Sequence, residues 1–183
     1  MAKLGFQLGV SGYGLPNFSV EVKDIHLNFP GRDAKGAGPF VLVNRACGLA
    51  LDAGANVDGG WHVKVQLCTW SRQQLWYLRP TGVKGEVHIE SADNGMVLDA
   101  TQPLHGDIHP VQWRLHREPW QRWQLAESPD GSAYYIATVH GGGQRFLTLN
   151  RDAVPDWSPW FQDRGELRGQ QWVIAQPFGR PPK

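Results

Sequence analysis

The sequence predicts an all-β fold made of three copies of one unit, and three observations carry that expectation. A Gln-x-Trp triplet recurs at Gln74-Leu75-Trp76, Gln121-Arg122-Trp123 and Gln170-Gln171-Trp172, with its tryptophans 47 and 49 residues apart. A motif at a nearly fixed period marks a fold in which copied supersecondary units share one core. No segment shows sustained helical periodicity, whereas short apolar stretches are punctuated by 22 Gly and 13 Pro, as strands and turns require. At 183 residues the chain is the size of one domain and buries a core without covalent staples.

The elements of the unit follow from aligning the copies. Leu42 to Asp52 (LVNRACGLALD) and Ile89 to Asp99 (IESADNGMVLD) both start on an aliphatic residue, carry a central Gly and end Leu-Asp, 24 residues before the repeat tryptophan. In the third copy, Ile136 leads through the Gly141-Gly142-Gly143 insertion to Thr148-Leu149-Asn150, where Asn150 takes the aspartate place, 22 residues before Trp172. A middle segment recurs as Val65-Gln66-Leu67, Val111-Gln112-Trp113 and Trp160-Phe161-Gln162. Each unit thus reads as a strand ending Leu-Asp, a Gly-rich loop, a Val-Gln strand, a polar loop and a strand bearing Gln-x-Trp. The repeats span about 39–80, 85–127 and 132–176 within a domain of residues 39–183.

Residues 1–38 form an extension. Phe18-Ser19-Val20-Glu21-Val22 and Ile25-His26-Leu27-Asn28-Phe29 alternate apolar and polar, a strand pair or hairpin, and Gly31–Pro39 reads as a linker into the first repeat. Two strands are unstable alone in water, so their apolar face rests either on the same chain or on another copy, which would make a homo-oligomer.

The triplets in register with Leu-Asp segments resemble the ricin-type (QxW) lectin repeat, and residues 39–178 resemble a ricin B-like β-trefoil. The resemblance implies that Trp76, Trp123 and Trp172 are core residues whose indole N–H groups need partners. It also implies a shallow sugar pocket in each repeat, made of the Leu-Asp aspartate, a middle-strand Gln, an aromatic platform and a polar residue before the triplet. A carboxylate accepts from neighbouring hydroxyls, amides donate and accept, and a ring stacks on the C–H face of a pyranose.

Carried over by position, the first repeat supplies Asp52, Gln66 and Gln73. Cys68 stands in the platform place, so Trp70 or Trp61 substitutes as the ring. The second supplies Asp99 and Gln112, with Arg114 at the platform place, His116 as the nearest ring and Trp120 before the triplet. The third offers Asn150, Gln162 and Gly169. The first ranks best, the second next and the third last. Each residue also has a plain structural reading: an Asp at a strand end caps a turn, and a buried Gln bridges backbone groups.

The expected function is a metal-independent, non-enzymatic lectin with no cofactor, binding galactose-type or N-acetylated sugars on glycans at one or two sites. The alternatives are a degenerate lectin fold serving as a protein-interaction or toxin-accessory module, with loop tryptophans as anchors, and a protease-inhibitor trefoil, which would lack the triplets. A net charge of +1 with no basic stripe argues against nucleic acid. No run of 18 apolar residues offers a membrane span, and the N-terminal sequence lacks the apolar stretch of a signal peptide, pointing to a cytoplasmic or non-classically exported chain. The resemblance raises a bridge across the first repeat between Cys47 and Cys68, which stand away from the usual cysteine places, and the lack of an export signal favours two buried free thiols. His105 and His109 suggest a metal only weakly.

Overall fold

The computed structural model describes residues 36–54, 61–100, 109–139, 144–165 and 167–176. Among them are thirteen strands, three single-turn 3₁₀ segments and no α-helix. The first repeat holds β1 (Ala37–Asn44), β2 (Ala50–Asp52), β3 (Trp61–His62), β4 (Lys64–Gln66) and β5 (Trp76–Pro80). The second holds β6 (Glu86–Ser91), β7 (Val97–Asp99), β8 (Val111–Trp113) and β9 (Trp123–Glu127). The third holds β10 (Tyr134–Thr138), β11 (Phe146–Thr148), β12 (Trp160–Gln162) and β13 (Gln171–Ala175).

Six strands close a ring by antiparallel pairing: β1 with β5, β5 with β6, β6 with β9, β9 with β10, β10 with β13, and β13 back to β1. Closure removes the free edges that an open sheet would expose. Each repeat adds a hairpin, β2–β4, β7–β8 or β11–β12, and this is the β-trefoil that the repeats predicted.

Trp76, Trp123 and Trp172 are fully buried in one core cluster with Leu51, Leu98 and Leu147. Each indole N–H donates to a leucine carbonyl of its own repeat's hairpin: Leu51 at 3.1 Å, Leu98 at 3.0 Å and Leu147 at 2.9 Å. The tryptophan therefore supplies buried apolar surface and ties the barrel to the hairpin through one bond.

One adjustment to the sequence reading concerns the linker. The expected linker to Pro39 ends earlier, because Ala37 already pairs with Leu78 in β1. Gly36 and Gly38 are there for close approach: a Cβ would meet the Leu78 carbonyl oxygen at 2.5 Å and the Trp76 carbonyl oxygen at 2.8 Å. The expected strand pair within residues 18–29, and His105 and Gly141–Gly143, lie outside the described residues.

The cysteines are free thiols, as the sequence led one to expect. Cys47 and Cys68 are half-buried, in separate apolar clusters. Burial raises both thiol pKa values above the ordinary cysteine value, which suppresses the reactive thiolate.

Candidate functional site

The glutamine of each triplet clamps the loop that follows its hairpin. Gln121 donates from Nε2 to the Arg114 carbonyl (2.9 Å) and to Asp99 Oδ2 (2.9 Å), and its Oε1 accepts from the backbone N–H of His116 (2.8 Å) and Arg117 (3.2 Å). Gln74 does the same with the Leu67 carbonyl, Asp52 Oδ2 and the N–H groups of Thr69 and Trp70. Gln170 bonds the Asp163 carbonyl, Thr148 Oγ1 and the Gly165 N–H. A buried amide that finds all its partners in one loop fixes the shape of that loop whatever residues the loop carries.

These bonds set the true equivalences. Thr148, not Asn150, stands at the third-repeat aspartate position. It lies 24 residues before Trp172, as Asp52 and Asp99 lie before Trp76 and Trp123, and it takes the matching glutamine bond. The Gly-rich insertion had shifted the sequence alignment by two residues, and Asn150 is exposed just beyond.

The middle strands shift by one. Cross-strand pairs Ala50–Gln66, Val97–Trp113 and Phe146–Gln162 make Gln66, Trp113 and Gln162 equivalent, and they align Gln112 with Val65 and Phe161. Gln112 is therefore on the inward face of its hairpin and fully buried. It donates to the Ala53 carbonyl and accepts from Asn94 Nδ2 at 2.8 Å, the work of a structural amide rather than a surface ligand. Trp113, one of the loop tryptophans offered by the sequence as anchors but not as a sugar-pocket residue, is 44% exposed and shares a face with Asp99, because alternate residues of a strand point the same way. The platform positions likewise move, from Arg114 to Leu115, the counterpart of Cys68.

In the first repeat the candidates disperse. Asp52 Oδ1 caps the turn through the Gly54 N–H at 2.7 Å. Gln66 turns to Asp156 Oδ1 of the third repeat at 2.8 Å, next to Lys64. Gln73 is half-buried, and its carbonyl accepts from the Ala53 N–H. Trp70, at φ 61°, packs on two apolar clusters around Val41, Leu75 and Val173 rather than standing over Asp52.

In the second repeat they converge. Asp99 is 2% exposed, and His116 Nε2 lies 3.0 Å from its Oδ2. The Glu118 N–H points at His116 Nδ1 (3.3 Å), and Nε2 faces both the Asp99 carboxylate and the Trp120 indole N–H, which donates to it at 3.2 Å. The half-buried Trp120 tilts against the imidazole with ring centroids 5.7 Å apart. His116 and Trp120 thus cover the mouth of a buried carboxylate, and Trp113 stands on the same face of the hairpin, opposite Val97.

The repeats also meet at a cleft of about 430 Å³ lined by His62, His109, Trp157, Ser158 and Trp160. His109 donates from Nδ1 to the Pro159 carbonyl (2.8 Å) and meets His62 edge-on. Among the described residues no group of three or more His, Cys, Asp or Glu could hold a metal ion, and no helix is long and apolar enough to cross a membrane.

The family model described as ricin-type beta-trefoil lectin domain-like matches residues 26–104 and 72–156. No curated protein matches the sequence. Among solved structures, the designed threefold-symmetric protein ThreeFoil superposes with a TM-score of 0.70 at 22% identity, over 77% of this chain and 100% of that one. The Macrolepiota procera ricin B-like lectin, solved with lactose, gives 0.64 at 19% identity, over 78% of this chain and 97% of that one. The Rhizoctonia solani agglutinin gives 0.68 at 15% identity, over 77% and 96%. At these identities the superpositions show the fold, and the family model covers most of the chain: the protein belongs to the ricin-type β-trefoil lectin domain-like family.

Proposed function

We propose that this protein binds carbohydrate, without a metal, on the hairpin face of its second repeat, and that galactose-type or N-acetylated sugars are the ligands. The observation that carries this reading is the exposed Trp113 on the same face as the Asp99–His116 pair, with Trp120 beside it. A flat ring offers a stacking surface for the C–H face of a pyranose, and a carboxylate offers an acceptor for its hydroxyls. His116 Nε2 stands against Asp99 Oδ2, the oxygen to which a ligand hydroxyl would donate, so binding moves the imidazole toward the ligand while Gln121 Nε2 still donates to that oxygen. The buried carboxylate stays partnered throughout.

A shallow site of this kind gives about −4 to −6 kcal/mol, or millimolar to high-micromolar binding. The lactose in the Macrolepiota procera lectin supports a galactoside as the first probe.

The test is a glycan array on the whole chain beside Trp113→Ala and Trp120→Ala variants of unchanged melting temperature. Selective signal on terminal galactose or its N-acetyl derivative, reduced at least about tenfold in both variants, supports the reading. A blank array at high protein concentration, or a signal indifferent to both changes, overturns it in favour of a protein-interaction role.

A further inference from the structure

Leu115 and Arg117, which flank His116 in the clamped loop, line a second cleft of about 460 Å³ with Arg79, Pro80, Thr81, Gly82, His88 and Arg122. Its charges are three guanidiniums against two nearby carboxylates. Arg79 is spoken for, 2.9 Å from Glu90 and stacked over the Tyr77 ring at 4.3 Å. Arg122 Nη1 is 3.4 Å from Glu86 Oε2, near enough for charge pairing but not placed for a hydrogen bond. Arg122 Nε and Glu86 Oε2 are both buried without a hydrogen-bond partner among the described residues. Arg117 makes no side-chain ion pair or hydrogen bond among the described residues. One positive charge is left over, on the loop that carries His116.

The fold itself does not require these residues, and the internal symmetry shows it. The strand pairs Trp76–Ser91, Trp123–Thr138 and Trp172–Asn44 make Val41, His88 and Tyr135 equivalent. The triplets make Leu75, Arg122 and Gln171 equivalent, and the loop clamp makes Trp70 equivalent to Arg117. In the first repeat these places hold Val41, Leu75 and Trp70, packed as an apolar cluster. In the third, Tyr135 and Gln171 hydrogen-bond each other at 3.0 Å. Among the described residues only the second repeat carries basic side chains at these places themselves, whereas in the third Arg45 bonds Gln171 at 2.7 Å and Arg164 lies over the Tyr135 ring at 5.4 Å. His88 is buried in the wall of the cleft, donating from Nδ1 to the Gln121 carbonyl at 2.8 Å. That carbonyl belongs to the residue whose side chain holds Asp99.

We propose that this arginine cleft binds an oxyanion (sulfate, phosphate or carboxylate) carried on the sugar that the second repeat takes, so that the protein is selective for acidic over neutral glycans. The inference rests on the carbohydrate reading above for the sugar, and on the cleft alone for the anion. Guanidinium forks suit oxyanions because they offer paired N–H donors in one plane. One loop carries both sets of groups, with His116 against the Asp99 carboxylate and the next residue, Arg117, in the arginine cleft.

The test is calorimetric titration of the whole chain at fixed ionic strength with lactose and with its 3′-sulfate, repeated on Arg117→Gln. The expected result is about tenfold tighter binding of the sulfated sugar, an advantage that disappears in Arg117→Gln while affinity for neutral lactose is unchanged. Equal affinity for the two sugars, or an advantage that survives in the variant, overturns the inference and leaves the carbohydrate reading standing. If neither sugar binds, inorganic sulfate titrated at constant ionic strength decides by the side-chain Nε resonances of Arg117 and Arg122. A saturable shift, weakened in Arg117→Gln, supports an anion site without the sugar reading, and no shift overturns the inference.

Discussion

The Asp99 carboxylate and the His116 imidazole form a 3.0 Å contact across the mouth of the second hairpin, and Gln121 holds both: its amide N–H donates to Asp99 while its amide oxygen accepts the His116 backbone N–H. One residue of the repeat motif thereby fixes the spacing of the two groups that define the candidate site.

Gln121→Ala removes four bonds from a fully buried amide and strands the Arg114 carbonyl and two loop N–H groups. The expected cost is about 2–3 kcal/mol in urea unfolding. Exchange of the His116 and Arg117 amide protons rises to loop-like rates. Protection retained at both amides would contradict the clamp.

Two tryptophans separate fold from function. Trp123 is fully buried and stacked on Phe161, so Trp123→Ala costs about 3–5 kcal/mol. Trp113 stands on the surface, and Trp113→Ala stays within about 0.5 kcal/mol of the parent. Thermal unfolding of the pair shows whether the one-residue correction of the hairpin alignment holds.

His88 gives the fold an acid-sensitive point. Burial lowers its pKa below the ordinary 6.5, and Arg122 and Arg117 add to this against the opposing Gln121 carbonyl and Glu90. Below pH 6.5 the unfolded chain takes a proton here that the native chain refuses, so this contribution to stability is whole above 6.5 and lost as pH falls toward the lowered native value. His88→Val, borrowing the first-repeat residue, flattens the fall in stability from about pH 7 to 5 seen in paired denaturant titrations. An unchanged slope would mean the site titrates as in the unfolded chain.

Gly169 sits where a Cβ would meet the Leu149 carbonyl oxygen at 1.9 Å, while its own carbonyl accepts from Leu149 N–H and Asn44 Nδ2. Gly169→Ala must push the third loop off the barrel. A loss of about 1–3 kcal/mol is expected, and a melting temperature equal to that of the parent would show that the loop yields freely.

The trefoil was legible in the sequence because its signal is long-range and repeated: three tryptophans in one role leave little freedom of interpretation. The sites were only half legible. Asp52 and Asp99 were found where the motif puts them, but a one-residue shift exchanged Gln112 for Trp113, because Val65-Gln66 and Val111-Gln112 look alike while their strand registers differ. A shift of one turns a strand residue from surface to core. The third repeat slid by two on its Gly-rich insertion. The basic cleft left no trace in composition, since Arg79, His88, Arg117 and Arg122 are distant in sequence and the net charge of +1 conceals them.

The pairing of β13 with β1, Val41 opposite Ala175, has a consequence for engineering. The barrel is a ring cut at an arbitrary place, and the cut lies between neighbouring strands. A circular permutant that joins Gln176 to Gly36 through a linker of about six residues, and reopens at the exposed Val83–Lys84 turn, keeps every repeat tryptophan and every clamp, and sets its new ends beside Gly82 of the arginine cleft. Fusion partners then leave at the rim of that cleft instead of from β1 and β13, so moving one bulky partner between the two sets of ends shields or exposes the cleft without altering a residue that lines it.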